Sequence, residues 1–139
     1  MFAILSMVGL LTLAFVACLG PSGAEKRFAD GVKLMEEGKF QETISVFDSI
    51  LFLDGSMAPA FYNRALAEQR IGNLASAIKD YTRAIELSSD LGADYANRGS
   101  IYIEKGDPQS AVNDLEQSLE LDEQPASAHT LLGQALLSL

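Results

Sequence analysis

Residues 58–91 read APAFYNRALAEQRIGNLASAIKDYTRAIELSSDL, and residues 92–125 read GADYANRGSIYIEKGDPQSAVNDLEQSLELDEQP. At an offset of 34 residues the two stretches agree in their turn glycines, their apolar residues and their ring-bearing residues. A period of this length, with two helical patterns joined by a glycine turn, is typical of stacked helix-turn-helix units. Residues that lie 34 positions apart form a column of the repeat, and several columns continue into the flanking sequence. They are Gly38, Gly72 and Gly106; Ile44, Ile78 and Val112; Phe47, Tyr81 and Leu115; and Leu53, Leu87 and Leu121.

A further column holds only small residues, at the middle of the first predicted helix of each unit. Its members are Gly31, Ala65, Gly99 and Gly133. Because glycine inside a helix costs about 1 kcal/mol relative to alanine, we expect a packing reason for these glycines. We predict that they let the two helices of a unit approach closely, with ring side chains filling the remaining space.

At these columns the sequence resembles the tetratricopeptide repeat family, with Phe61, Ala65, Gly72, Leu74, Ala77, Tyr81 and Ala84 in the family's positions. The resemblance implies an all-α fold, a right-handed α-solenoid of about three helix-turn-helix units. The repeats would be 24–57, 58–91 and 92–125, followed by a capping helix in 126–139. Residues 24–57 form the weakest repeat, because Arg27 replaces the aromatic residue, and Thr43 and Ile50 replace small ones.

The first 24 residues contain no charged side chain, and Phe2 to Ala17 is apolar apart from Ser6 and Thr12. A short apolar stretch followed by small residues is the layout of a secretory signal, although no positively charged residue precedes it here. Cleavage near Ala24, lipidation of Cys18 in a stretch that resembles a bacterial lipobox, and retention as a membrane anchor are the three alternatives. Each predicts an exported protein, either periplasmic or membrane-anchored facing the periplasm or exterior.

The remaining sequence, from Glu25 onward, carries the whole net charge of −9. An acidic domain repels phosphate backbones, so nucleic acid is excluded as the expected partner and a neutral or basic peptide is favoured. No cysteine pair, histidine cluster or glycine-rich phosphate loop is present. The only histidine, His129, stands in the ring column with Phe61 and Tyr95 and is predicted to lie in the core. We therefore predict no catalytic residue, no cofactor and no metal site.

In the resembled family, the first helices of the repeats line a concave groove that holds a peptide. Asn63 and Asn97 share one column of this groove, and their amides could bridge to a peptide backbone; the alternative is that they are merely polar residues on a wet face. The peptide-binding residues implied by the resemblance are Phe28, Val32, Tyr62, Asn63, Leu66, Arg70, Asn97, Ser100 and Ile103.

One branch of the family binds the C-terminal carboxylates of chaperones with a clamp of lysine, asparagine and arginine residues. Only Asn63 matches that clamp. Phe28 and Val32 occupy its first-repeat columns, and Ala93 and Asn97 occupy its third-repeat columns. The sequence therefore does not support binding of a chaperone tail.

A comparison of the repeats also predicts two ion pairs. Arg64 and Asp80 stand in the same two columns as Arg98 and Asp114, whereas the first repeat lacks both members. The joint presence of the two residues suggests that each arginine reaches the aspartate of its own repeat.

The chain ends in a leucine-rich helix pattern, of which only part can face the third repeat. A second copy, a client or a membrane could cover the remainder, or the natural protein could continue. Together with the predicted export, these features suggest an adaptor or scaffold that holds a client protein or peptide during cell-envelope assembly, as small exported bacterial lipoproteins with such repeats do. The alternatives are a self-associating structural protein without a peptide ligand and a regulatory subunit of an enzyme.

Overall fold

A computed structural model describes residues 23–88, 92–121 and 126–139 of the chain. Within these ranges the backbone forms helices and no strand. The predicted signal, anchor and lipidation at Cys18 lie outside the described residues. The helices are α1 (Gly23–Glu36), α2 (Phe40–Leu53), α3 (Ala58–Arg70), α4 (Leu74–Leu87), α5 (Gly92–Glu104), α6 (Pro108–Leu121) and α7 (Ala126–Leu136).

The turns within the helix pairs depend on the three periodic glycines. Gly38, Gly72 and Gly106 have φ angles of 74°, 82° and 74°, in the left-handed region that a side chain disfavours. In the first turn the Gly38 amide donates to the carbonyl of Met35, and the Lys39 amide donates to that of Leu34. This arrangement ends a helix with its last carbonyls bonded. The repeated glycine therefore reverses the chain in the same way in each pair.

The helices stack in sequence order into an α-solenoid, which confirms the predicted fold class. Each first helix packs on its second helix, as α1 does on α2, and each second helix packs on the first helix of the next pair. The first helices also contact one another, α1 with α3 and α5 with α7. The first helices therefore line one face of the stack and the second helices line the other.

The small-residue column allows close packing at two of its glycines, as predicted. A Cβ atom on Gly31 would lie 2.9 Å from Cζ of Phe47, and one on Gly99 would lie 3.0 Å from Cγ of Leu115. Phe47 and Leu115 are fully buried and each belongs to the second helix of the same pair. A side chain at either glycine would force these core residues to move.

The prediction for Gly133 is wrong. A Cβ atom there would meet nothing within 4 Å, and the residue is exposed. Gly133 lies on α7, and no second helix among the described residues packs over it. The close contact at the other glycines comes from that second helix, so the column by itself did not decide the packing.

His129 is also not a core residue. It is exposed, whereas Ala128 and Ala135 of the same helix are fully buried. In the second and third repeats the ring of this column lies beneath an arginine, which is Arg64 over Phe61 at 5.5 Å and Arg98 over Tyr95 at 5.7 Å. The fourth unit has Leu132 in the arginine column, so nothing equivalent covers the His129 ring.

A candidate peptide groove

The face built by α1, α3 and α5 contains the residues predicted to bind a peptide. At its N-terminal end Phe28 and Val32 are half-buried because they also pack against a core cluster around Phe47. The Phe28 and Phe47 rings meet edge to face at 5.4 Å. These two side chains therefore support the fold as well as the groove. The remaining predicted residues are half-buried except for the exposed Arg70; they are Tyr62, Asn63, Leu66, Asn97, Ser100 and Ile103.

Ala96 departs from the expected lining. It precedes Asn97 on α5, but it is buried in the core cluster that joins α5, α6 and α7.

Side-chain hydrogen bonds join α3 to α5 across this face. The Asn97 amide donates to the Tyr62 hydroxyl at 3.4 Å, and the Gln69 amide donates to the Ser100 hydroxyl at 3.3 Å. The Tyr81 hydroxyl on α4 donates to the side-chain oxygen of Gln69 at 3.4 Å. These bonds are long. The Tyr81, Gln69 and Ser100 side chains form one chain, and together with the separate Asn97–Tyr62 bond they hold neighbouring groove residues in a fixed relative position.

The two column asparagines are already partly engaged within the domain. The Asn63 amide donates to the Pro59 carbonyl at 2.8 Å, one turn earlier in α3, and the Asn97 amide donates to Tyr62. An asparagine side chain has two donor hydrogens and an acceptor oxygen. Each of these contacts uses one hydrogen, so both side chains retain hydrogen-bonding capacity for a peptide backbone.

A cavity of about 380 Å³ opens at the N-terminal end of the groove. Its lining is mostly apolar and combines the first turns of α1 with the residue before α3. This volume is at the lower end of the range for ligand pockets, which is about 300 to 1,000 Å³. The lining residues are Ala24, Glu25, Phe28, Ala29 and Met57.

Behind the groove, the two predicted ion pairs are present. Nε and Nη2 of Arg64 donate to the two carboxylate oxygens of Asp80, both at 2.7 Å, and the same atoms of Arg98 bond both oxygens of Asp114 at the same distance. The carboxylate of Asp80 raises the pKa of Arg64, and that of Asp114 raises the pKa of Arg98. Such two-bond pairs fix the orientation of a first helix on its second helix.

Each arginine also reaches the preceding repeat, which sequence comparison did not predict. Nη1 of Arg64 donates to Asp48 of α2 at 2.7 Å, and Nη1 of Arg98 donates to the hydroxyl of Thr82 of α4 at 2.9 Å. Asp48 and Thr82 occupy one column of the repeat. That shared column was the signal that could have revealed the contact between repeats.

Asp94 is a second feature that sequence reasoning missed. Its side chain is fully buried in the first turn of α5, and neither carboxylate oxygen has a hydrogen-bond partner among the described residues. Burial raises the pKa of Asp94 from 3.8 to about 6, partly offset by the charge of Arg98. In the second and fourth units the same column holds Ala60 and Ala128, both fully buried, whereas the first repeat has the exposed Lys26. The contrast with the two alanines was the sequence signal that could have revealed Asp94.

Within residues 23–88, 92–121 and 126–139, no group of three or more histidine, cysteine, aspartate or glutamate side chains is placed to hold a metal ion. This face combines half-buried apolar side chains with hydrogen-bonding groups along one row of helices, a combination that can hold a peptide.

The fold defines the class of protein, a helical-repeat protein whose first helices form one face of the stack. A family model described as tetratricopeptide repeat matches residues 56–124. The solved first TPR of Spaghetti (RPAP3), bound to the HSP90 peptide SRMEEVD, has a TM-score of 0.80 and 25% identity, and the match covers 83% of this chain and 91% of that one. Residues 56–124 therefore belong to the tetratricopeptide repeat family.

Two further proteins show the same relationship. The second TPR domain of human RPAP3, in complex with the HSP70 peptide SGPTIEEVD, has a TM-score of 0.75 and 29% identity, with 79% of this chain and 92% of that chain covered. DnaJ homolog subfamily C member 3 from Rattus norvegicus is 30% identical over 96 residues, which is 69% of this chain. This chain spans only 19% of the length of that relative.

These comparisons correct the predicted location. The expectation of an exported protein, periplasmic or membrane-anchored, is wrong, because the matching proteins are a DnaJ homologue and RPAP3 domains rather than exported bacterial lipoproteins. In the part of the chain that the structure describes, no helix has the length and apolar character needed to span a bilayer. The predicted role in envelope assembly depended on export, and the comparisons do not support it.

Proposed function

We propose that the groove formed by α1, α3 and α5 binds an extended or helical segment of a partner protein, so that the domain serves as an adaptor or scaffold. The groove residues are those on the described face, with Tyr62, Asn63 and Leu66 at its centre. They present an apolar surface next to amide and hydroxyl groups, which is the combination that peptide-binding grooves use.

The observation that carries this proposal is the hydrogen-bonded link between neighbouring repeats at the groove surface. Because Asn97 bonds Tyr62 and Gln69 bonds Ser100, these side chains are held in position before any ligand arrives. A surface ordered in advance loses less conformational entropy on binding. The likeness to two RPAP3 domains solved with peptides supports a peptide as the ligand class.

Charge favours a neutral or basic segment. The domain is strongly acidic, and along the groove Glu36 and Glu104 flank Arg70 in one exposed column. A ligand with apolar side chains and a positive charge would fit the half-buried surface and the flanking carboxylates together. The RPAP3 peptides both end in the acidic sequence EEVD, so we expect this groove to prefer a different sequence.

The test begins with selection of binders from a random peptide library on the full chain. A selected peptide is then titrated against the wild type and against the Asn63→Ala and Asn97→Ala double variant. We expect the double variant to bind more weakly by about 1 to 3 kcal/mol, because it loses hydrogen bonds to the peptide backbone. Thermal melting should change little, since both residues lie on a partly exposed face.

The matched control is Asn113→Ala, which changes an exposed asparagine on α6, a second helix. Its described partner is Gln109, on the same helix. Equal weakening by the control, or full binding by the double variant, would contradict groove binding. If no library peptide binds while the chain self-associates, the alternative of a structural repeat protein without a peptide ligand is favoured.

A further inference from the structure

On α7, Gly133 is not covered by another described helix, whereas the glycines at the equivalent position in two other repeats are covered. Gly31 lies under Phe47, and Gly99 lies under Leu115, each supplied by a second helix. Gly133 occupies the same column, but a Cβ atom there would meet none of the described residues within 4 Å. The α7 surface therefore has a notch at Gly133, the column position that in the first and third repeats receives a large apolar side chain.

Large apolar side chains stand exposed beside this notch. Leu137 is 92% exposed and Leu136 is 53% exposed, and Leu139 just after them is 67% exposed. Leu137 is four residues after Gly133, and its amide donates to the Gly133 carbonyl at 3.2 Å, so the two residues lie on the same face. The opposite side of the helix is already occupied, because Leu131 and Leu132 pack against the third repeat.

The face is self-complementary, since one helix carries both a notch and a projecting leucine one turn apart. An interface with two-fold symmetry requires this property, because the same surface must fit itself. Two antiparallel copies of α7, with the symmetry axis between Gly133 and Leu137, would bring each Leu137 onto the other copy's glycine.

Charge also favours a second copy as the occupant. Residues 126–139 contain no aspartate, glutamate, lysine or arginine, whereas the chain as a whole carries −9. Every other described helix contains charged residues. Two acidic copies therefore meet with the least repulsion when they approach through α7.

We propose that α7 is a self-association surface, in which Gly133 receives Leu137 of the partner subunit and Leu136 and Leu139 lie at the contact. This pairing uses the end of the stack and leaves the surface of α1, α3 and α5 open. It is independent of the groove proposal, and either can fail without the other.

Sedimentation of the full chain over a range of micromolar concentrations tests the pairing. We expect a monomer–dimer equilibrium in the wild type. Gly133→Arg and, separately, Leu137→Gln should each raise the dimer dissociation constant by about tenfold or more. Both changes fall in open or exposed positions, so the monomer should fold normally, and circular dichroism with a thermal melt verifies this.

Phe52→Gln provides the matched control, since Phe52 on α2 is 90% exposed but lies far along the chain from α7. It should leave the dissociation constant unchanged. A wild type that remains monomeric would overturn the pairing. Dimers that persist in Gly133→Arg would also overturn it, because the contact would then lie elsewhere, for example in the N-terminal apolar residues. Equal weakening by Phe52→Gln would point to nonspecific association and against this surface.

Discussion

Arg98 and Asp114 form a two-bond ion pair, with Nε and Nη2 of the arginine each 2.7 Å from a carboxylate oxygen. The side chain of Arg98 is 15% exposed and that of Asp114 is 9% exposed, so the pair is largely withdrawn from water. The third nitrogen of Arg98 bonds Thr82 in the preceding repeat. One arginine therefore fixes both the angle within its helix pair and the register to the previous pair.

Removal of one member of this pair should be more harmful than removal of both. Arg98→Ala leaves the Asp114 carboxylate buried without its partner, and we expect the free energy of unfolding to fall by about 3 kcal/mol. Arg98→Met combined with Asp114→Leu should lose much less, because no buried charge remains unpaired. Urea unfolding of Arg98→Met, Asp114→Leu and the double variant, alongside Arg98→Ala, measures the difference; strictly additive losses in the double variant would contradict this account.

Asp94 should make the domain less stable as the pH rises. Burial raises its pKa from 3.8 to about 6, so the folded state binds a proton that the unfolded state has already released. The free energy of unfolding should therefore fall as the pH rises from about 4 to about 6, and should stay low above that range. At pH 7, Asp94→Ala should raise it by on the order of 3 kcal/mol.

Chemical unfolding at a series of pH values measures this effect. Asp30→Ala is the control, because Asp30 is an exposed aspartate on α1 and should leave the pH profile unchanged. A profile that is the same in Asp94→Ala and the wild type would mean that the carboxylate is accommodated without cost.

Two glycines of one column should respond in opposite ways to the same substitution. Gly99→Leu must displace Leu115, and we expect a loss of about 1 to 3 kcal/mol from overpacking. Gly133→Leu enters open space and replaces a helical glycine with a better helix former, which should stabilise the monomer by up to about 1 kcal/mol. The melting temperatures of both variants are compared with that of the wild type at low protein concentration. A higher melting temperature for Gly99→Leu would rule out the close contact.

The peptide SRMEEVD, bound by the RPAP3 domain, should bind this chain weakly. Ala93 and Asn97 stand where the carboxylate clamp of the resembled family has cations, and the chain itself is strongly acidic. Ala93→Lys combined with Asn97→Arg should strengthen binding by about 1.5 to 3 kcal/mol, the size of hydrogen bonds to charged groups. Titration calorimetry with the peptide and its C-terminal amide measures this gain, and tight binding by the wild type would refute the expected preference.

The sequence predicted much of the fold because its 34-residue repeat reflects turns and contacts between residues that are close in the chain. Turn glycines with positive φ and the small residues at Gly31 and Gly99 recur at fixed spacing, and the same comparison found the pairing of Arg64 with Asp80. For the candidate site, the residues that it predicted lie on α1, α3 and α5, and their role in binding stays a prediction. The sequence did not predict that Asn97 bonds Tyr62 or that Gln69 bonds Ser100, because those contacts depend on the distance between neighbouring repeats.

The sequence by itself determined the all-α repeat fold, the glycine turns and the ion pairs within a repeat, because these depend on residues close in the chain and recur every 34 positions. Only the tertiary structure decided which members of a column are covered by a neighbouring element. Gly133 and His129 share columns with packed residues yet are exposed, because no second helix among the described residues lies over Gly133, and Leu132 replaces the arginine that covers the other rings. Asp94 is a buried carboxylate, although its column holds the exposed Lys26 in the first repeat and the buried Ala60 in the second. A column fixes where a side chain lies on its helix, but the elements packed around that helix determine whether it is buried, paired or exposed.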